Sequence, residues 1–379
     1  MRRYGLPMIK GYFVIIRSSC RVAELQSIWW LENFATLQLC RFGAEEFGIV
    51  LGYLFSMKYI SKTLYIALLL LTFGFAQAQN FAKVDNTVKA YPKFSDPDKL
   101  AAQLGADFKQ DDLKARAIFT WIALNVKYDL AAYGINRQPV GFSYSTQEEK
   151  IAKQKIMHED LALKTIKSKK GVCEGYSTLF AVVAEKAGLE AVIIPGTSKS
   201  HPAHIGKGPG ASDHAWNAVK INGEWKLLDT TWAAGVVTGD KPAFVFKFND
   251  GYFFAEPDVF FLNHYPDDKQ WLLTKKSGED FANLPLYYGN YLMGNYQFLA
   301  PNTGSFTDKK YNVIPFKIKN LKQGDAVHYA FSKDRKIIQA KPVVNNGITE
   351  FDVPLDNGSN GTLTIYINQK SVAAYRINR

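Results

Sequence analysis

Three side chains spread along the chain have the types that nucleophilic catalysis by a thiol requires: Cys173, His214 and Asp229. A cysteine attacks as its thiolate, and both a neighbouring imidazolium and a helix N-terminus favour that charged form. After Gly171, the residues Val172, Tyr176, Leu179, Phe180, Val183, Ala184 and Ala187 recur at helical spacing and lead to Gly188, a natural helix terminator. This pattern predicts a helix with Cys173 in its first turn, where the dipole favours the thiolate. The backbone N–H of Cys173, at the helix start, is then free to donate to the oxyanion formed when an amide or thioester carbonyl is attacked. The sequence identifies no second oxyanion donor.

The histidine and the aspartate are related by a hairpin. Asn222-Gly223 separates two strand-like runs and suits the positive backbone angles of a two-residue turn. Such a turn sets Ile221 opposite Glu224. Extending the ladder places His214 opposite Thr231 and Trp216 opposite Asp229. His214 and Asp229 become diagonal neighbours on one sheet face, roughly 7 to 8 Å apart along the backbone, a gap their side chains span. A register slip of one residue puts them on opposite faces. In this arrangement Asp229 orients the imidazole, His214 moves the proton and Cys173 attacks. Each residue alone has a plainer reading: an inert buried thiol, a strand histidine, a turn carboxylate. Their combination outweighs those readings. Asn217, on the opposite face from His214, reads as structural.

The flanking residues carry a resemblance. Gly171-Val172-Cys173-Glu174-Gly175-Tyr176, then His214-Ala215-Trp216-Asn217, then Leu228-Asp229-Thr230-Thr231-Trp232 resemble, in order, the core of the transglutaminase-like superfamily. The resemblance implies a papain-type triad of Cys173, His214 and Asp229. Tyr252-Phe253-Phe254 with Glu256-Pro257, His264-Tyr265-Pro266-Asp267-Asp268, Trp271-Leu272-Leu273 and Leu284-Pro285 are similar to the region after the core in the kyphoscoliosis peptidase branch. The likeness runs from about Leu113 to Pro285. In the protein-crosslinking members a Trp follows the cysteine; Glu174 stands there in this chain, which argues against glutamine–lysine crosslinking. Some relatives of this branch have lost the triad and act as binding modules, whereas all three residues are kept here. The expectation is thiol-dependent hydrolysis of an amide through an acyl-enzyme, as in a peptidase or amidase. The alternatives are acyl transfer to an amine and a non-catalytic cell-surface binding protein.

Other residues invite chemistry less strongly. His201 and His204, with His214, raise a metal site, but their Pro- and Gly-rich surroundings offer no carboxylate or thiolate at zinc-site spacing. They read as a loop near the cleft, and neither metal nor cofactor is expected. Lys169 and Lys170 stand where they add positive potential near the thiolate or are simply solvated. Trp216, Trp225 and Trp232 read as core aromatics of the hairpin before groove residues.

The elements that must hold this site follow from periodicity. Leu113, Ala117, Trp121, Leu124 and Tyr128 mark an amphipathic helix between Asp111 and Asp129. Residues 134–149 form a polar stretch, and Ile151 to Ile166 reads as another helix. Glu190 to Pro195 reads as a buried strand, and Ser198 to Ser212 as a Gly, Pro and His loop. From about Asn290 the pattern changes to alternating runs, Tyr311 to Ile318, Ala326 to Phe331, Ile348 to Val353 and Thr362 to Tyr366, separated by turn residues. That is the pattern of a small β-sandwich. The expected fold is α+β: a transglutaminase-like, papain-like core over residues 81–288 and a β-sandwich over 290–379.

The chain of 379 residues, 47% hydrophobic and 14% aromatic, has ample material for packed cores. Its net charge of +11 is spread among alternating acidic and basic residues, without the basic stripe of a nucleic-acid binder. Residues 57–78 have the parts of a secretory signal: Lys58 and Lys62, an apolar run from Leu64 to Phe75, and Ala76-Gln77-Ala78 as a cleavage site. The apolar run is shorter than the roughly 20 residues that span a bilayer. Residues 1–56 then read either as a stretch upstream of a natural start at Met57 or as a genuine N-terminal extension with an apolar run from Phe47 to Phe55. A secreted or periplasmic protein is expected, held to a membrane only if residues 1–78 are retained. Cleavage removes Cys20 and Cys40 and leaves Cys173 as the single cysteine in a compartment where thiols normally pair. The expected partner is a protein or peptide substrate, a cell-wall peptide among the options.

Overall fold

The alternation between helical and strand periods along the chain produces a helical layer on one sheet, followed by two further sheets. The computed structural model describes residues 81–133, 143–308, 312–334, 336–356 and 358–378. These all belong to one compact unit, Gln77–Arg379. The readings for residues 1–56, the signal segment 57–78 and most of the polar stretch after Gly134 lie outside the described residues.

Helix α1 (Pro97–Asp107) begins on Asp96, whose carboxylate accepts the Asp98 N–H. Helix α2 (Asp111–Asn125) is buried along most of its length, including Phe119, Trp121 and Ile122. It is shorter than its apolar stripe predicts. Val126 leaves helical geometry, and the chain forms a two-residue strand, β1 (Lys127–Tyr128). Tyr128 is therefore not the last residue of a helical face. Helix α3 (Gln147–Ser168) starts before Ile151 because the Thr146 hydroxyl accepts the Glu149 N–H, and it ends where Lys169 turns left-handed at φ 55°. Strand β2 (Lys170–Gly171) runs parallel to β1 and pairs Tyr128 with Gly171.

Helix α4 (Cys173–Lys186) follows at once, with Cys173 as its first residue. Gly175 is required for its packing: a Cβ there would meet the Thr165 hydroxyl of α3 at 2.8 Å. Gly188, at φ 81°, terminates the helix as its pattern predicts. The core of this half includes Leu100, Leu104, Trp121, Tyr176, Phe180 and Phe253. Arg116 is buried in the same core. Its guanidinium donates twice to Asp85, at 2.9 and 2.7 Å, and lies over the rings of Phe119 and Phe253.

The sheet behind α4 has five strands. The elements β3 (Ala191–Ser198), β4 (His214–Ile221), β5 (Glu224–Leu228), β6 (Phe253–Ala255) and β7 (His264–Pro266) lie in the spatial order β6-β5-β4-β3-β7. The β4–β5 hairpin has the expected register, from Ile221 opposite Glu224 to Asn217 opposite Leu228. There it stops. The chain turns out of the sheet at Asp229 and enters a short helix, α5 (Thr230–Ala234), so the expected pairs His214–Thr231 and Trp216–Asp229 do not form. Asp229 caps α5 instead, accepting the N–H groups of Thr231 at 2.8 Å and Trp232 at 3.0 Å.

The last ninety residues form two antiparallel-rich sheets around a second core that includes Ile314, Phe316, Leu363, Ile365 and Tyr375. One sheet carries Gln297–Ala300, Val313–Lys319, Ile348–Pro354 and Val343–Asn345. The other contains Val327–Phe331, Gly361–Ile367 and Lys370–Ile377. Leu286–Tyr287 pairs with the final strand, so the chain enters this second sheet just before residue 288. Val313–Lys319 alternates exposed and buried residue by residue, the signature of a one-sided strand.

Candidate active site

Gly171 and Val172 deliver Cys173 to the start of α4, where no side chain caps the first-turn N–H groups. The thiol is partly exposed, not sealed in the core. It lies close enough to His214, at the head of β4, to interact with its imidazole. His214 is 8% exposed and presents Nε2 to Asp229 Oδ2 at 2.8 Å, which leaves Nδ1 for the thiol. The indole of Trp232 stacks on the imidazole at 5.1 Å between centroids. The structure thus brings Cys173, His214 and Asp229 together, although Asp229 arrives from a helix cap and not from a strand.

Electrostatics favour charge on this pair. Burial opposes the His214 imidazolium, but the Asp229 carboxylate, which accepts from the ring, and the nearby Cys173 outweigh it and raise the imidazole well above its ordinary range. Burial likewise opposes charge on Asp229, yet the two facing imidazoles hold it below the usual carboxylate range. Asp229 is fully buried and all its acceptor capacity is used: Oδ1 takes two backbone N–H groups and Oδ2 two imidazoles.

The second imidazole belongs to His264, whose Nε2 lies 3.0 Å from Asp229 Oδ2. The sequence placed His264 in a family-like segment without a role. Its one signal was a histidine at the end of an apolar, aromatic-rich run. His214 and His264 approach from opposite sides of β3, His214 opposite Gly196 and His264 opposite Ser198. Tyr128 was also missed. Its bridge to Gly171 holds the phenol near the nucleophile, and burial first, then the Cys173 charge, push its ionisation upward.

Among the described residues, His214, Asp229 and His264 are also the group whose ligand atoms lie close enough to share a metal ion, within 4.8 Å. Their contacts of 2.8 and 3.0 Å are hydrogen-bond distances with a proton between the partners, and the other carboxylate oxygen is occupied by backbone. The donor set fits a hydrogen-bonded carboxylate better than an ion cage. His201 and His204 stay apart from this group and accept local backbone N–H groups, Ala203 at 3.1 Å and Ser200 at 3.3 Å. Lys169 turns inward, away from the role of a cation beside the thiol: its ammonium bonds the Phe94 and Ile166 carbonyls and lies over Trp121. Asn217 is structural, its amide tying α4 to β3 through Ser177 O at 2.9 Å and Val192 O at 3.0 Å. Trp216 is core, and Trp225 packs edge-on against Trp271.

A buried carboxylate–imidazole pair serving a thiol at a helix start is the working arrangement of cysteine acyl-transfer enzymes. Residues 98–230 match the model of the Transglutaminase-like superfamily. The chain's relatives support the branch of the kyphoscoliosis peptidases. The chain is 33% identical over 198 residues to the human kyphoscoliosis peptidase, covering 52% of this chain and 27% of that protein. It is also 26% identical over 307 residues to the Caenorhabditis elegans Lim and transglutaminase domain protein ltd-1, covering 73% of this chain and 39% of that one. The chain spans about a quarter of the length of the human protein it matches. A solved structure described as a TGase is 22% identical over 41% of this chain and 36% of its own, with a TM-score of 0.25, too low to define a shared architecture. The match over residues 98–230 supports thiol-dependent catalysis in the broad sense.

Proposed function

We propose that the protein is a secreted thiol-dependent amide hydrolase, a peptidase or amidase, that works through an acyl-enzyme on Cys173. The carrying observation is the fully buried Asp229 holding His214 at 2.8 Å, with the Cys173 thiol near the same imidazole. In the first half-reaction the thiolate attacks the amide carbonyl and the His214 imidazolium gives its proton to the departing amine. In the second, His214 takes a proton from water, which attacks the thioester, and the thiol is released with the carboxylic acid. Asp229 keeps the imidazole oriented and supports its positive charge throughout. The Cys173 N–H serves as one oxyanion donor, and the Tyr128 hydroxyl, on the strand that pairs with Gly171 ahead of Cys173, is the candidate for the second.

The peptidase name of the human relative supports hydrolysis, and Glu174 in place of the Trp of crosslinking members points the same way. The secreted placement rests on the signal-like segment 57–78, and among the described residues no helix is long and apolar enough to cross a membrane. The test is labelling by a peptide-like thiol electrophile, in wild type beside Cys173→Ala and His214→Ala, followed by a peptide library with and without a primary amine. Labelling lost in both variants, with cleaved peptides, is the expected result. A mass gain from the amine would mark a transferase. Labelling undiminished in His214→Ala would overturn the triad, and a thiol no more reactive than a free cysteine would mark a binding protein.

A further inference from the structure

The Asp229 carboxylate carries more than the reaction just described uses. Its Oδ2 faces two imidazoles, His214 at 2.8 Å and His264 at 3.0 Å. A carboxylate oxygen accepts both contacts only if each nitrogen carries a proton. His264 also faces the Phe260 carbonyl through Nδ1 at 3.2 Å. The carboxylate is the stronger acceptor, so the proton of the neutral ring sits at Nε2. The ring is 2% exposed and boxed by aromatics: Phe260 stacked at 4.0 Å, Trp232 at 4.6 Å and Trp216 edge-on at 5.0 Å. No catalytic step above assigns it work. A polar ring buried this completely, with one nitrogen on the catalytic carboxylate, is costly unless that bond matters.

Accepting the triad reading, we propose that His264 is a positioning residue for the Asp229–His214 pair: its Nε2–H shares the oxygen His214 uses, fixing the carboxylate's rotation and withdrawing part of its negative charge. Two backbone N–H groups on Oδ1 hold one end of the carboxylate, and His264 holds the other independently of His214. His214 thus meets an oxygen that does not swing when the imidazole changes charge or moves during proton transfer. The shared bond also weakens the field that Asp229 exerts on His214. Removing the donor leaves a more negative site, so each proton of the Cys173–His214 pair is held to higher pH. The whole pH profile of labelling moves toward alkali. The other groups facing His264 do not oppose this direction. Tyr252, 6.3 Å away between rings, is driven further from ionisation by burial. Asp213 is engaged by the Ser198 N–H at 2.6 Å, on the strand position opposite His264.

The test compares the rate of Cys173 labelling against pH in wild type, His264→Phe and His264→Gln, with Cys173→Ala and His214→Ala as controls. His264→Phe keeps the ring and loses the donor; His264→Gln restores an N–H near the Nε2 position. The expected result is labelling about tenfold slower in His264→Phe, the scale of one charge-assisted hydrogen bond. Its profile should be displaced by about one pH unit to alkali, and both effects should be largely recovered in His264→Gln. A folded His264→Phe with the wild-type rate and profile would overturn the proposal. If His214→Ala also left labelling intact, the triad itself would fail, which separates the two outcomes. Should His264→Phe not fold, nitrogen NMR of the wild-type imidazoles decides: a protonated His264 Nε2 at the pH of fastest labelling supports the proposal, and an unprotonated one ends it.

Discussion

At the scale of residues, His214 and Asp229 hold each other in their ionised forms. His214 is raised above an imidazole's ordinary value of about 6.5. The stability it contributes is therefore complete below that value and is lost as pH rises through the raised one. Asp229 is lowered, so its contribution is present above about 3.8 and disappears only as pH falls through the lowered value. Asp229→Asn removes the charge that outweighs burial at His214. The imidazolium is then lost at lower pH, the alkaline limb of Cys173 labelling moves to acid, and labelling near neutrality falls about a hundredfold or more. A labelling profile with an unmoved alkaline limb would show that Asp229 does not govern His214. Tyr128→Phe tests the second oxyanion donor. Peptide turnover is expected to fall about 10²-fold while alkylation by a small halide, which forms no oxyanion, stays near wild type.

At the scale of elements, the close meeting of strands is what lets two histidines reach one carboxylate. Gly196 lies between Trp216 and the β7 backbone, and a Cβ there would fall 2.3 Å from the Tyr265 carbonyl oxygen and 2.5 Å from the Trp216 indole. The contact is with backbone on one side and a fully buried ring on the other, so neither yields easily. Gly196→Ala is expected to destabilise the fold by about 1–3 kcal/mol and to slow Cys173 labelling as β4 and β7 separate. Urea denaturation gives the first quantity and the labelling rate the second; a midpoint at the wild-type concentration would show that the sheet absorbs the methyl. The hairpin teaches a related point. Asn222-Gly223 and the strand alternation made the β4–β5 register readable as far as Leu228. The departure at Asp229 was not readable, because Thr230, Thr231 and Trp232 favour strands and only the cap formed by the Asp229 side chain turns them into a helix.

At the scale of the molecule, the two halves meet through the backbone around the site. The Asn263 amide, next to His264, donates to the carbonyls of Lys199 at 2.7 Å and Tyr287 at 3.0 Å, joining the five-stranded sheet to the strand that enters the second core. The buried Lys199 ammonium reaches the Leu284 carbonyl at 3.2 Å. All residues from Gln77 on belong to one compact unit, so unfolding is expected to be a single transition. Within that unit every tryptophan precedes residue 290, whereas far-UV circular dichroism reports both halves. For the chain cleaved after Ala78, the denaturation curves from the two signals should coincide. Separated curves would show that the β-sandwich unfolds on its own.

Local chemistry was enough to determine much of this protein: a thiol at the first turn of a helix, the histidine on a hairpin strand and the one-sided strands after Asn290. Each depends on spacing, propensity and turn residues within a few positions of one another. Tertiary structure alone decided how Asp229 reaches His214, that Tyr128 leaves its helix to sit beside Cys173, and that His264 shares the carboxylate. Those facts depend on where a chain exits a sheet and on contacts between strands dozens of residues apart. No periodicity records such contacts, because they are selected by packing and by the need to satisfy a carboxylate buried away from water.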